Sequence, residues 1–236
     1  MEEEKNQHTE TNERLGLIDF HTHSCGCASY QGTDTIVVQS TFLHESPHPR
    51  ADYYTTGVHP MDTPAATEIL DGGPELLRSV VLEKRARCSV PLLALGELGW
   101  DKRSSTLSPR EQSLLVSWQL DLAEELSLPV VFHMVGYWDL LMAEHRRRSP
   151  HTPWWVHGFR GKAMLLCQLQ EAGLFVSLSP RFSWEGTPRS SAFLLETDEE
   201  TGSLPASYRR AAAALGISLD QLARDLRRTF STLLPR

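Results

Sequence analysis

Eight short apolar segments recur along the 236-residue chain, and they constrain its fold more than any other feature. Each is a nearly continuous hydrophobic run rather than an alternation of apolar and polar residues, a pattern typical of strands buried on both faces of a parallel sheet. The predicted strands are LGLIDF (15–20), TIVVQS (35–40), YYTTGV (53–58), PLLALGE (91–97), PVVFH (129–133), WWVHG (154–158), LFVSLS (174–179) and FLLET (193–197).

Helical patterns separate most of the later segments. Ser108, Pro109 and Glu111 are the predicted N-cap, first-turn proline and capping-box glutamate of a helix that ends near Leu126. Further helices are predicted at 74–88, 161–172 and 218–233. Strands that alternate with helices predict an α/β fold, and eight of them favour a TIM-like (β/α)8 barrel. Because only about a dozen residues separate the first three strands, the first two βα units are predicted to be abbreviated.

The first fourteen residues are polar and acidic, with five glutamates against one lysine and one arginine. They lack apolar periodicity, so we expect a disordered acidic tail over residues 1–14 and a single barrel domain over residues 15–236. No apolar run is long enough to span a bilayer, and the N-terminus does not resemble a secretory signal. We therefore expect no membrane partner, a cytoplasmic location, reduced cysteines, and a monomer or weak oligomer.

Imidazoles and carboxylates cluster at the C-terminal ends of the predicted strands. In a barrel these ends converge on the face that carries the active site. The two-residue spacing of His21 and His23 directs both imidazoles to one side of an extended backbone, so both can reach one cation. The other residues at strand ends are His59, Glu97, His133, His157 and Asp198.

This set of donors predicts a metal site. Imidazole with carboxylate suits Zn²⁺, Mn²⁺ or Fe²⁺, whereas Mg²⁺ prefers a shell richer in oxygen. Six residues exceed the needs of one tetrahedral site and suffice for two ions with Glu97 between them, a pair that activates water for hydrolysis. The candidate ligands are His21, His23, Glu97, His133, His157 and Asp198. Asp19, inside the first strand, either orients a ligand or is a buried, hydrogen-bonded carboxylate.

Six motifs follow one another in a specific order: IDFHTH (18–23), TGVHP (56–60), LGELGWD (95–101), QLDLAEELSLPVVFH (119–133), WVHGF (155–159) and LLETD (194–198). In this order they resemble the motifs of the TatD family of metal-dependent hydrolases, which is similar to the amidohydrolase superfamily. The resemblance implies a TIM-like barrel that binds two divalent metal ions (Zn, Mn or Mg). It also implies a deoxyribonuclease that often acts from the 3′ end of DNA.

Residue by residue, the resemblance implies His21 and His23 at one ion and His133 and His157 at the other, with Glu97 bridging the two. It implies that Asp198 is a ligand and also accepts a proton from the attacking water, so that Asp198 and Glu97 are the catalytic residues. By the same resemblance, His59 faces the substrate phosphate.

Two segments depart from the family pattern. Ser24-Cys25-Gly26-Cys27 follows His23 where the family has Leu-Asp. Residues 199–216, EETGSLPASYRRAAAALG, replace a Pro-Tyr-containing loop and an Arg-Asn-x-Pro stretch, and we expect this altered loop to shape the substrate pocket. Cys25 and Cys27 either supply a thiolate to the metal or are small residues in a glycine-containing turn.

The net charge of −7, from 30 acidic and 23 basic residues, argues against a protein that coats DNA, since such binding relies on Lys and Arg at phosphates. It does not argue against a metal centre that engages one phosphodiester, because two divalent ions add four positive charges where that phosphate lies. Trp154 and Trp155 are predicted to be barrel core rather than a base-stacking platform.

Three other functions stay open from the sequence alone. DFHTHS also resembles the opening motif of the polymerase-and-histidinol-phosphatase barrels. A TatD-like scaffold can instead hydrolyse a small phosphoester or an amide, because one fold hosts many chemistries. The shortened connections are also compatible with a metal-binding paralogue that has no turnover.

Overall fold

The computed structural model describes residues 16–25, 30, 33–188, 192–199 and 203–234. The tail expected over residues 1–14, as well as Cys27, lies outside the described residues. In chain order the elements are β1 (Ile18–Thr22), β2 (Ile36–Phe42), β3 (Tyr53–Gly57), α1 (Thr63–Arg87), β4 (Leu92–Asp101), α2 (Pro109–Leu126), β5 (Val130–Val135), α3 (Trp138–Arg148), β6 (Trp154–Phe159), α4 (Ala163–Glu171), β7 (Phe175–Leu178), β8 (Leu194–Leu195), α5 (Leu204–Leu215) and α6 (Leu219–Ser231).

The eight predicted strands form one parallel sheet in the order β1 to β8. A parallel bridge between Thr22 and Asp198 joins its two edges. There the Asp198 N–H donates to the His21 carbonyl at 2.9 Å, and the His23 N–H donates to the Asp198 carbonyl at 3.2 Å. The sheet therefore nearly closes on itself, which confirms the predicted TIM-like barrel. In the described parts of the β1–β2 and β2–β3 connections no α-helix forms, so the abbreviated first two units are confirmed.

Local sequence signals account for several helices. The capping box of α2 forms as predicted, with Ser108 and Glu111 each accepting from the backbone N–H of the other. Helix α1 is longer than the predicted 74–88 segment, because Asp62 caps an additional first half. The two halves meet at a kink at Gly73, whose φ of 76° lies in the left-handed region and is followed by Pro74.

Part of the loop expected at 199–216 is helix α5. Its buried residues recur at helical spacing, and they include Tyr208 and Ala211. The Tyr208 hydroxyl bonds both the N–H and the carbonyl of Ile18, at 3.0 and 3.1 Å, and so ties α5 to β1. This segment packs against the barrel because its apolar face can be buried there.

Inward-facing apolar side chains fill the barrel near the strand starts. Phe20 packs edge to face against Trp155 and Phe230, with ring centroids 4.6 and 5.6 Å apart. Each such side chain stabilises the fold by roughly 1.5–3 kcal/mol when fully buried. Phe230 belongs to α6, so this helix covers the end of the barrel at which the strands begin. Trp154 and Trp155 are both buried, as predicted. No helix in the described ranges has both the length and the apolar character needed to cross a membrane.

Candidate metal centre

The carboxylate of Glu97 lies inside the barrel because β4 is irregular at this point. Gly96 and Gly99 have φ angles of 143° and 146°, and the register with β5 shifts between Leu95 and Leu98. A Cβ atom on Gly96 would lie 2.4 Å from the Val131 carbonyl oxygen, so no larger residue fits without displacing backbone. The strand then continues to Asp101, which places Glu97 within β4 rather than at its predicted end.

One oxygen of this carboxylate faces the two histidines of β1. Glu97 Oε1 lies 3.1 Å from Nε2 of His21 and 3.0 Å from Nε2 of His23. The Ser40 hydroxyl, on β2, donates to the same oxygen at 2.8 Å. The two-residue spacing of the H-x-H motif thus brings both imidazoles to one atom.

The other oxygen faces histidines from three other places in the barrel. Glu97 Oε2 lies 2.7 Å from Nε2 of His157, 3.5 Å from Nδ1 of His133 and 3.5 Å from Nε2 of His59. The sixth candidate ligand, Asp198, lies at the rim with its Oδ1 3.7 Å from His23 Nε2. All six predicted ligands are therefore within one cluster, and His59 joins them.

The electrostatics of the cluster concentrate negative charge on Glu97. Burial opposes ionisation of this carboxyl group, but the imidazoles, led by His157 and His21, hold the pKa of Glu97 well below its usual range. Burial also disfavours the charged form of His157 and so lowers its pKa. The carboxylates of Glu97 and Glu196 outweigh burial and raise the pKa of His157 well above its ordinary value. The cluster thus favours a positive charge beside an ionised carboxylate.

Asp101 is a site residue that the sequence did not single out, although it ends the LGELGWD motif. Its Oδ2 lies 3.0 Å from His133 Nε2. Burial raises the pKa of Asp101, but hydrogen bonds from Arg103 and His133 outweigh burial, and the net pKa lies below the usual range. An ionised Asp101 can only accept, so the neutral form of His133 carries its proton on Nε2 and keeps the Nδ1 lone pair toward Glu97.

His59 also carries its proton on Nε2, but in this ring Nε2 is the nitrogen that faces Glu97. The Met61 N–H donates to His59 Nδ1 at 3.0 Å, so this nitrogen is an acceptor and Nε2 bears the hydrogen. Burial lowers the pKa of His59 to about 3, which keeps the ring neutral. The Nε2–H group facing Glu97 is consequently a hydrogen-bond donor and not a metal ligand in this tautomer.

Glu196 is a second residue that the sequence did not single out. It is fully buried, and its Oε1 accepts from the Gly158 N–H at 2.7 Å and lies 3.7 Å from His157 Nδ1. The Ser177 hydroxyl also donates to this carboxylate. Glu196 thus faces the side of the His157 ring opposite Glu97, and its position in LLETD, two residues before Asp198, is the only local signal for it.

Asp19 is a buried carboxylate that holds the residue next to Asp198. It accepts from Thr197 through the backbone N–H at 2.9 Å and through the hydroxyl at 2.6 Å, and Tyr30 donates to it as well. Burial raises the pKa of Asp19 to about 7. Asp198 itself has a φ of 56°, which is uncommon for a non-glycine residue. Its backbone bonds to His21, in β1, and to His23, just after β1, maintain this conformation.

A metal cation fits this arrangement of donors. The Nδ1 lone pair of His133 lies 3.5 Å from Glu97 Oε2 and 3.3 Å from His157 Nε2. A lone pair facing a carboxylate oxygen is repulsive unless a proton or a cation lies between the two atoms. Donor atoms of His21, His23 and Asp198, and those of His21, Glu97 and His157, also lie within 4.8 Å of one another. The cluster can therefore bind metal.

Comparison with known proteins shows that the chain is similar to TatD-related proteins. A family model described as "TatD related DNase" matches residues 18–217. The chain is 31% identical over 155 residues to a protein of Pectobacterium atrosepticum named 3'-5' ssDNA/RNA exonuclease TatD, and the match covers 63% of this chain and 54% of that protein. It is 28% identical over 161 residues to the uncharacterized metal-dependent hydrolase YjjV of Escherichia coli, covering 62% and 57%. The chain thus spans about half the length of these curated relatives.

A solved structure supports the fold. The crystal structure of YjjV from Escherichia coli, described as a TatD homolog, aligns with a TM-score of 0.67 and 23% identity. The alignment covers 92% of this chain and 97% of that chain. This likeness concerns the barrel architecture.

Proposed function

Because the chain belongs to the family of TatD-related DNases, we propose that it is a metal-dependent phosphodiesterase that removes nucleotides from the 3′ end of single-stranded DNA. The observation that carries the proposal is the position of the Glu97 carboxylate between two pairs of histidines. Each of its two oxygens faces two of the four candidate imidazole ligands. The relatives named 3'-5' ssDNA/RNA exonuclease support the choice of substrate.

The proposed ligands divide between two divalent ions. His21 and His23 would hold one with Glu97 Oε1, and His133 and His157 would hold the other with Glu97 Oε2. Asp198, 3.7 Å from His23 Nε2, would complete the first group. Zn²⁺ or Mn²⁺ suits these nitrogen-rich groups better than Mg²⁺. When bound, such ions stabilise the charge of a phosphoryl group and lower the pKa of water.

The remaining steps fall to side chains of this protein. The carboxylate of Asp198 is partly exposed at the rim and would accept the proton of the attacking water. The backbone bonds of Asp198 to His21 and His23 keep the carboxylate beside the first ligand group. His59 would donate its Nε2–H to a non-bridging oxygen of the phosphate, as its tautomer allows.

The charge of the chain suits this mode of binding. With a net charge of −7, the protein has little capacity to hold nucleic acid by bulk electrostatics. Two divalent ions place four positive charges at one point, which favours a single phosphate over a long stretch of backbone.

We further propose a monomer or weak oligomer in the cytoplasm. Among the described residues, Cys88 and Cys167 form no disulfide, which is compatible with a reducing compartment.

The proposal is tested with the metal-loaded protein and 5′-labelled single-stranded DNA that has either a free or a blocked 3′ end. We expect progressive shortening of the free substrate, protection of the blocked one, and loss of activity with a chelator or in Glu97→Gln. Glu68→Gln is a matched control, because Glu68 pairs with His44 on the surface and lies outside the cluster. Small phosphoesters and amides are assayed in parallel.

Four outcomes would contradict the proposal. Near-normal rates in Glu97→Gln or in chelator would show that the cluster is not the catalytic centre. Hydrolysis of amides alone would identify a different reaction, and cleavage that ignores the blocked end would exclude exonucleolytic action. Metal bound without any turnover would identify the non-catalytic paralogue.

A further inference from the structure

Phe42 is a large apolar side chain exposed at the mouth of the metal centre. It is the last residue of β2 and is 44% exposed, whereas the residues that precede it in the strand, Val38 to Thr41, are buried. Its ring stacks on His23 with a centroid distance of 6.1 Å and an interplanar angle of 30°. It meets the His59 ring at 6.1 Å in an edge-to-face arrangement. The aromatic face therefore lies directly beside a candidate ligand and the candidate phosphate donor.

The backbone beneath this ring is held by a buried lysine. Lys84, on α1, donates from Nζ to the Phe42 carbonyl at 2.7 Å, and also to the hydroxyls of Thr41 and Thr56 at 2.9 and 2.7 Å. The Phe42 N–H donates to the Glu45 carboxylate at 3.1 Å. These bonds fix the end of β2, so a ligand that packs on the ring does not have to order the backbone.

Burial in the protein core does not explain the position of Phe42. An aromatic ring with a large exposed fraction next to two site histidines offers a flat apolar surface to whatever enters the site. Met61, which is 48% exposed and donates its N–H to His59, continues this apolar rim beyond β3. The rim thus borders the centre beside the β2–β3 connection, residues 43–52, which is described throughout and contains no helix.

We infer that Phe42 is the stacking platform for the nucleobase adjacent to the scissile phosphate, and that the substrate must therefore carry a base. This inference rests on the proposed function and adds a recognition requirement to it, namely a base on the nucleotide next to the bond that is cleaved. Because every nucleobase has a π-face, stacking tolerates any base identity. The site should discriminate strongly between a base and no base, and weakly among the four bases.

The test compares oligonucleotides whose 3′-terminal nucleotide carries a base or an abasic tetrahydrofuran. By the usual strength of base stacking, we expect the wild-type kcat/KM to favour the base by roughly 5- to 150-fold, with a few-fold spread among bases. In Phe42→Ala this ratio should fall to near one, and in Phe42→Trp it should persist. Leu114→Ala is the matched control, because Leu114 is equally exposed, at 43%, on α2.

A binding measurement provides a readout without turnover. In an Asp198→Asn background, the fluorescence of a 3′-terminal 2-aminopurine should be quenched on binding and should stay bright when Phe42→Ala is added. Retention of the wild-type preference in Phe42→Ala, or an equal loss in Leu114→Ala, would overturn the inference. Equal rates of cleavage on base and abasic ends would overturn the inference about Phe42 and leave the proposed function intact. If no phosphodiester were cleaved at all, the proposed function and the inference would both be overturned.

Discussion

Asp101→Asn tests whether Asp101, which ends the LGELGWD motif, controls metal binding through its hydrogen bond with His133. The substitution conserves size in a fully buried position but removes the charge that faces His133 Nε2 at 3.0 Å. An asparagine can present either its oxygen or its amide group to the ring, so the proton of His133 is no longer confined to Nε2. The Nδ1 lone pair that faces Glu97 is then available only part of the time.

The expected size of the effect follows from this single hydrogen bond. A hydrogen bond to a charged group contributes about 1.5–3 kcal/mol. At 1.4 kcal/mol per factor of ten, this corresponds to roughly a 10- to 100-fold change, which agrees with the usual loss of metal affinity when a partner of a ligand is removed. We expect the affinity for the ion proposed at His133 and His157 to fall by this factor, with the ion proposed at His21 and His23 little affected.

The assay is a metal titration of apoprotein by calorimetry, together with thermal unfolding of both proteins without metal to check the fold. Arg103→Ala is the matched control, because the exposed Arg103 guanidinium is the other charged partner of Asp101 and does not contact His133. If Asp101→Asn bound both ions as tightly as the wild type, or if Arg103→Ala lost as much affinity, the reasoning about His133 would be refuted.

Three further predictions address other parts of the molecule. His59→Gln should lower kcat/KM by roughly 10- to 100-fold through the loss of a hydrogen bond to phosphate while the metal content is unchanged; loss of metal by mass spectrometry would instead make His59 a ligand. Ser108→Ala should remove about 1 kcal/mol of stability with normal activity, seen as a fall in Tm of about 2–4 °C, and an unchanged Tm would contradict the role of the α2 capping box. Burial lowers the pKa of Lys84 to about 8, against 10.5 for an unfolded lysine, so between these values the unfolded chain binds more protons and stability rises with pH, by up to roughly 3 kcal/mol. Lys84→Met should flatten that rise in urea titrations at pH 7.5 and 10, and equal pH slopes in the two proteins would refute the assignment.

The strands were predictable because burial on both faces imposes a local signature. A segment such as PVVFH must be apolar throughout when helices cover one face and the barrel interior the other, and β5 forms where this run predicts it. Helix α2 was predictable because its capping box is local as well. Helix α3 was harder to predict, because its N-cap residue, Tyr137, makes no side-chain capping bond and the helix has one buried residue, Leu141. Helix α5 depends on its packing against β1 through Tyr208, which no local pattern records.

The sequence by itself determined the fold class and the candidate ligands, since strand periodicity and barrel geometry together place the ends of all strands on one face. Only the tertiary structure decided which nitrogen faces which oxygen. His21 and Glu97 are 76 residues apart, and His133 and Asp101 are 32 apart. The proton positions on His133 and His59 depend on such contacts, because a neutral imidazole becomes donor or acceptor according to the partner on its far side. Contacts of this kind arise from packing across the barrel, and so Asp101, Glu196 and Phe42 acquire their significance only in three dimensions.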